Sequence, residues 1–189
     1  VNITSGLLAG LGLFATPVCS AVEWKDLFDG KTLDGWESQT TANWHVEGGA
    51  ITADHGREGL LTSTESYTDY EVEITFRAKE DTRSGIYLST PKTVTDPSSE
   101  CYALAIAPDS SSFPTGSLTG RSRVPGEKYE GWRTYHAKIQ GATVTVWLDG
   151  KQVLEYKDRK PIHSGRIGLE FNQGRVEFSK IRVKNLGMP

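Results

Sequence analysis

The chain has 189 residues, of which 37% are hydrophobic and 24% charged, and its 21 basic and 24 acidic side chains leave a formal net charge of -3. A charge so small and so interspersed argues against a nucleic-acid partner; the nearest thing to a basic patch, Arg121 to Lys128, holds Pro125-Gly126-Glu127 and reads as a solvated loop. The length suits one domain, and no repeat or low-complexity linker divides it.

Residues 1 to 21 carry no charged side chain, and the run from Leu7 to Val18 is apolar, small or glycine. That run is too short for a membrane span, and Cys19 and Ala21 suit the minus-three and minus-one positions of a cleavage site. The sequence therefore predicts a signal peptide over 1–21, a single domain over 22–189, and a secreted or periplasmic protein. No membrane insertion is expected after the leader is removed. Cleavage leaves Cys101 as the lone cysteine, which excludes an intrachain disulfide and reads as an inert strand residue.

Beyond Glu23 the apolar residues recur with period two and never hold a helical spacing, so the domain is all-β. The first feature is the decapeptide Leu27-Phe28-Asp29-Gly30-Lys31-Thr32-Leu33-Asp34-Gly35-Trp36, two Asp-Gly turns between short extended pieces. Strands are predicted over Tyr70 to Arg77, Gly85 to Ser89, Tyr102 to Ile106 and Arg133 to Ile139. Others follow over Thr143 to Leu148, Gln152 to Tyr156, Gly165 to Phe171 and Val176 to Val183. Asp149-Gly150 predicts a tight hairpin. Gln140-Gly141 and Gln173-Gly174 are read in the same way, so that an antiparallel meander runs from Arg133 onward. Aromatic-rich strands of this kind pack as two facing sheets. Two long loops, Thr90 to Glu100 and Ala107 to Tyr129, are either mobile or functional.

In the strand from Tyr70, alternation puts Tyr70, Val72, Ile74 and Phe76 on a core face and Glu71, Glu73, Thr75 and Arg77 on a polar one. Two carboxylates on one sheet face suit sugar binding or acid and base work; an ordinary solvated face has the same pattern. Tyr87 and Ser89 take the polar face of the next strand. Arg133 and Tyr135 share a face that turns apolar at Ala137 and Ile139, which makes them weaker candidates. Rings with hydroxyls beside Glu and Arg suit carbohydrate, because sugar C–H faces stack on rings while hydroxyls take charged hydrogen bonds. The four histidines, His45, His55, His136 and His163, have no metal-ligand spacing, and there is no HExxH, CxxC or G-x-S-x-G.

Taken in order, the decapeptide, Trp44-x-Val46-x-Gly48-Gly49, Gly59-Leu60-Leu61-Thr62, Tyr67-x-Asp69-Tyr70-Glu71, Ser84-Gly85-Ile86-Tyr87-Leu88, Trp132-x-x-Tyr135, Val146-Trp147-Leu148-Asp149-Gly150 and Gly165-x-Ile167-Gly168-Leu169 form one pattern. It resembles the 3-keto-disaccharide hydrolase domain family. That resemblance covers nearly all of the mature chain and implies a concanavalin A-like or laminin G-like two-sheet antiparallel jelly roll that works on oxidised sugars outside the cytoplasm. Where members commonly read Asn-Ser-Gly-Ile-Phe-Leu-Arg, this chain has Arg83-Ser84-Gly85-Ile86-Tyr87-Leu88-Ser89. Tyr-Glu-Val-Gln-Ile becomes Tyr102-Ala103-Leu104-Ala105-Ile106, and Gly-Leu-Gln followed by His becomes Gly168-Leu169-Glu170-Phe171-Asn172.

The chemistry the resemblance implies is sound in physical terms. A ketone at sugar C3 acidifies the C2 proton, one base removes it, the C1 substituent leaves, and water adds. Glu170 or Glu73 is the candidate base, with Arg133, Arg77 or a bound divalent metal as electrostatic partner; Glu71, Arg77, Tyr87, Arg133 and Tyr135 are the candidate substrate-binding residues. The alternative is a non-catalytic carbohydrate-binding, laminin G-like module, favoured by the methyl groups of Ala103 and Ala105.

Overall fold

The computed structural model describes residues 23–187; the predicted signal peptide lies outside the described residues. The strands in chain order are β1 (Lys25–Asp26), β2 (Trp36–Ser38), β3 (His45–Glu47), β4 (Ala50–Ala53), β5 (Gly59–Ser63), β6 (Tyr70–Ala78) and β7 (Arg83–Thr90). After one helical turn, α1 (Pro97–Glu100), come β8 (Tyr102–Ile106), β9 (Trp132–Gln140), β10 (Thr143–Leu148), β11 (Lys151–Lys157), β12 (Arg166–Gln173) and β13 (Val176–Asn185). The larger sheet has the order β11-β10-β9-β6-β13-β4-β3, with β1 also paired to β13; the smaller has β2-β5-β12-β7-β8. Every pairing between these strands is antiparallel, so the fold is the expected two-sheet jelly roll. Among the described residues no helix is long and apolar enough to cross a membrane.

The alternation in the sequence decides which side chains fill the space between the sheets. Tyr70, Val72, Ile74 and Phe76 of β6 meet Ile86 and Leu88 of β7, Tyr102 and Leu104 of β8, and Ile167, Leu169 and Phe171 of β12 in one core. Phe76 stacks on Tyr135 with ring centroids 5.1 Å apart. The decapeptide serves the same core: Asp29 Oδ1 accepts from the amides of Lys31 and Thr32 at 2.8 Å, closing the first turn. Its Phe28 and Trp36 are buried, and the Trp36 indole donates to the Leu27 carbonyl at 2.8 Å.

Three local expectations turn out differently. Gln173-Gly174 is not a hairpin: β12 and β13 lie in different sheets, and the turn carries the chain across the sandwich. A Gly turn serves either purpose. Here Arg175 fixes the outcome by donating to Glu47 at 2.7 Å and Asp54 at 3.0 Å beside the larger sheet. The meander is therefore limited to β9, β10 and β11, joined by Gly141 and by the Asp149-Gly150 turn, whose φ values of 50° and 79° suit a tight two-residue hairpin. Ser89 leaves the alternation as well. Its φ is 52°, the pairing of β7 with β12 slips beside it, and its amide donates to the buried Tyr70 hydroxyl at 2.9 Å, so Ser89 is buried rather than on the polar face.

The two long loops both fold back on the smaller sheet. The first bears α1, capped by Asp96, whose carboxylate accepts from the Ser98 amide at 3.0 Å, and it lays Val94 against Leu60, Tyr87, Cys101 and Ala103 on that sheet's outward face. The second runs beside β8 as an added short ladder. Ala105 N donates to Ser117 O at 2.9 Å, and Thr119 N to Ala103 O at 2.8 Å.

Candidate functional site

The predicted site residues are divided among the outward face of the larger sheet, the core face of β9 and the outward face of the smaller sheet. Glu71, Glu73 and Arg77 lie on the outward face of the larger sheet, where each is held by partners of opposite charge or by histidine. His136 is 3.0 Å from Glu71. Lys180 and Arg182 reach Glu73 at 2.9 and 3.0 Å. Burial alone would raise the Glu73 carboxyl, but the hydrogen bonds and charges of Arg182 and Lys180 outweigh it and hold it below its ordinary range. Arg77 forks onto Glu177 at 2.7 and 3.0 Å.

Arg133 and Tyr135, from β9, do not join them. The Arg133 Nε donates to Asp149 at 2.6 Å while its guanidinium lies over the Tyr129 ring. Tyr135 is 1% exposed; its hydroxyl donates to Ala105 O at 2.6 Å and accepts from the Gly116 amide. A side chain so enclosed presents nothing to a ligand, and its role is to tie the larger sheet to β8 and the second loop.

The smaller sheet brings Glu170 and Tyr87 together. In its ladder Glu170 faces Gly85 of β7, which faces Ala105 of β8, while Gly168 faces Tyr87 and Tyr87 faces Ala103. On the other side Glu170 pairs with Leu60 and Gly168 with Thr62 of β5. Glu170, Tyr87, Ala103 and Leu60 therefore share one outward face, floored by small and apolar groups. The Tyr87 hydroxyl donates to Glu170 Oε1 at 2.9 Å. No Lys or Arg contacts Glu170 among the described residues. Burial pushes its carboxyl above the ordinary range, the Tyr87 hydrogen bond opposes this, and the charge of Glu58 adds to it. Burial beside this carboxylate also raises the Tyr87 hydroxyl, which stays a neutral donor.

Space around the carboxylate depends on glycine. A Cβ on Gly85 would stand 3.0 Å from both Glu170 Oε2 and the Leu104 carbonyl. Further along β12, Asn172 donates to Glu58 at 3.2 Å, and these two line a cavity of about 700 Å3 with Gln39, Thr40, Thr41 and Arg57. Cys101, on the same face, is buried and its thiol is pushed up to about 12, so it remains an unreactive thiol. Glu58 escapes sequence reasoning because it sits in a loop with no period to place it. Leu60 and Thr62 were within reach, since alternation through Gly59-Leu60-Leu61-Thr62 sets them on one face.

Four of the departures from the family pattern converge here, whereas Ser89 is buried against Tyr70. Ala103, Ala105, Glu170 and Asn172 all belong to the outward face of the smaller sheet. Two polar groups have been withdrawn from β8, and an acid stands on β12 where members commonly have an amide. Among the described residues no group of three or more His, Cys, Asp or Glu gathers as a metal-ligand set. The donors on this face therefore do not make up a ligand set for a divalent metal.

The two-sheet architecture defines a lectin-like jelly roll. The chain belongs to the 3-keto-alpha-glucoside-1,2-lyase-like domain family, whose model matches residues 23–184. Among solved structures it is similar to two candidate glycosyl hydrolases of Parabacteroides distasonis. One is 15% identical with a TM-score of 0.76, over 87% of this chain and 94% of that one. The other is 21% identical with a TM-score of 0.70, over 87% and 100%. A carbohydrate-binding module of Bacillus subtilis is 14% identical with a TM-score of 0.60, over 80% of this chain and 96% of that one. At such identities the likeness concerns the fold. No curated protein matches the chain in sequence.

Proposed function

We propose that this domain cleaves 3-keto glycosides by elimination across C1 and C2, with Glu170 as the base. What carries the reading is one observation: a half-buried carboxylate on the outward face of the smaller sheet, without a cationic partner among the described residues and held by a single phenolic hydroxyl. A carboxylate desolvated in this way is a stronger base than one in water, which suits removal of a proton beside a ketone.

In the proposed step Glu170 takes the C2 proton. The C2–H electrons first form the C2=C3 bond of an enolate with its charge on the C3 oxygen; re-forming the C3=O bond then drives an electron pair into C1=C2 as the C1–O bond breaks, and the departing oxygen leaves as an alcohol with a proton from Glu170 or water. Adding water across C1=C2 completes net hydrolysis. Tyr87 first donates to the ionised carboxylate; once proton transfer has neutralised Glu170, its hydroxyl is free to donate to the enolate oxygen at C3. Arg77, on the outward face of the larger sheet, and Arg133, on β9, are already paired and take no part. The domain carries this out in the periplasm or outside the cell, on the reading of residues 1–21 as a leader.

The test is incubation with a 3-keto-glucoside bearing a chromogenic aglycone, with and without chelator. Release by the wild-type protein, reduced about 10² to 10⁴-fold in Glu170→Gln, is expected. Sugar bound without release would favour the second reading, a non-catalytic carbohydrate-binding module, for which the methyl-lined strand of Ala103 and Ala105 is the supporting observation.

A further inference from the structure

A second carboxylate stands beside Glu170. Continuing the register that pairs Glu170 with Leu60 and Phe171 with Gly59 brings Glu58, just before β5, opposite Asn172, and the Asn172 amide does donate to Glu58 at 3.2 Å. Glu58 is therefore the diagonal neighbour of Glu170, about 7 to 8 Å away along the sheet. Its charge is felt at both Glu170 and Tyr87, where it adds to the burial that raises each of them.

The two carboxylates differ in their contact with water. Glu170 is half-buried, whereas Glu58 is exposed and has Asn172 as its one hydrogen-bond partner among the described residues. Glu58 and Asn172 line the cavity of about 700 Å3 together with Gln39, Thr40, Thr41 and Arg57. Every side chain of that lining is polar, which suits water rather than an apolar group. Close packing of two loops sets its walls: a Cβ on Gly56 would collide with the Thr41 carbonyl, and one on Gly59 with the Thr40 side chain. Elimination leaves a C1=C2 bond conjugated with the C3 ketone, and hydrating it asks for a base beside C1 and an acid beside C2. Two carboxyls in such different surroundings can divide that work, the dry one at carbon and the wet one at water.

Resting on the cleavage reading, we propose that Glu58 is the base that activates water for the hydration step. A water in the polar cavity gives a proton to Glu58 as its oxygen bonds to C1. The C1=C2 electrons move into C2=C3, and the charge passes to the C3 oxygen. C2 then takes a proton from Glu170 or water, which restores the ketone, and Glu58 returns its proton to solvent. Asn172 is a positioning residue that holds Glu58 over the face.

The test supplies the enone that elimination yields from a 3-keto-glucoside and follows the loss of its ultraviolet absorption. Wild-type protein should hydrate it well above the uncatalysed rate, and Glu58→Gln about 10²-fold more slowly than wild type. Glu58→Asp should recover part of that loss, and Asn172→Ala should lose several-fold. Given the 3-keto-glucoside itself, Glu58→Gln should accumulate enone that the wild type does not. Hydration by Glu58→Gln as fast as wild type, or equal losses of aglycone release and hydration in that variant, would overturn the proposal. Hydration of supplied enone without aglycone release removes only the cleavage reading, whereas aglycone release with enone left to hydrate at the uncatalysed rate removes only this one.

Discussion

Glu73 and Glu170 are both glutamates on the outward face of a β-sheet, but their surroundings differ in kind. Glu73 sits between Lys180 and Arg182, whereas Glu170 has a tyrosine hydroxyl, a glycine, and the apolar flanks of Leu60 and Ala105. The first is an ion-paired surface carboxylate whose charge is already satisfied. The second has given up water without gaining a counter-ion, a cost that a merely structural position has no reason to bear. The contrast separates two residues that the sequence alone left as equal candidates for one role.

The largest effect that sharpens this contrast is kinetic. Glu170→Gln should lose about 10² to 10⁴-fold in aglycone release, while Glu73→Gln should stay within about twofold of wild type. Equal losses in both would break the distinction between the faces. Next comes Tyr135→Phe, which removes the hydroxyl that joins Ala105 and Gly116. It should lower stability by about 1 to 2 kcal/mol in denaturant unfolding while leaving kcat nearly unchanged, as befits a core residue. A fall in kcat with unchanged stability would return Tyr135 to the substrate.

The two faces should also respond to pH with opposite sign. The native Glu170 carboxyl binds its proton more tightly than the unfolded one, whose pKa is about 4.3, so its contribution to stability is full below that value. It is lost as pH rises through the native value, and Glu170→Gln should flatten that decline. Glu177, whose carboxyl Arg77 holds below the ordinary range, contributes above the unfolded value and loses its contribution as pH falls through the native one. Thermal melts of Glu170→Gln and Glu177→Gln across acid to neutral pH should diverge accordingly. The rising limb of kcat/KM should likewise lie above the usual carboxylate range and vanish in Glu170→Gln. The smallest effect belongs to Arg182→Ala, which breaks a partly exposed pair and should cost under about 1 kcal/mol, less at high salt.

Much of the fold was legible because alternation is a local signal. β6 announced its buried Tyr70, Val72, Ile74 and Phe76, and Asp149-Gly150 announced its hairpin. Sheet membership is not local. Nothing in Gln173-Gly174 tells a hairpin from a crossing, and nothing in the strand from Tyr70 says that its polar face belongs to the sheet opposite Glu170. The candidate site was half legible for the same reason. Glu170 and Tyr87 were both named, but what joins them is the β7 and β12 ladder, and Glu58 enters only through packing of its loop on Asn172.

The short ladder that Ser117 and Thr119 make along β8 has a consequence for how copies of the molecule meet. Without it β8 would offer a bare row of amides and carbonyls, a template on which another chain could extend the sheet. With Ala103 and Ala105 already engaged, that border is closed from within, and the opposite border is the three-residue β2, too brief to seed pairing. The same loop that lines a cavity at the end of β6 thus also closes the β8 border of the smaller sheet to strand addition.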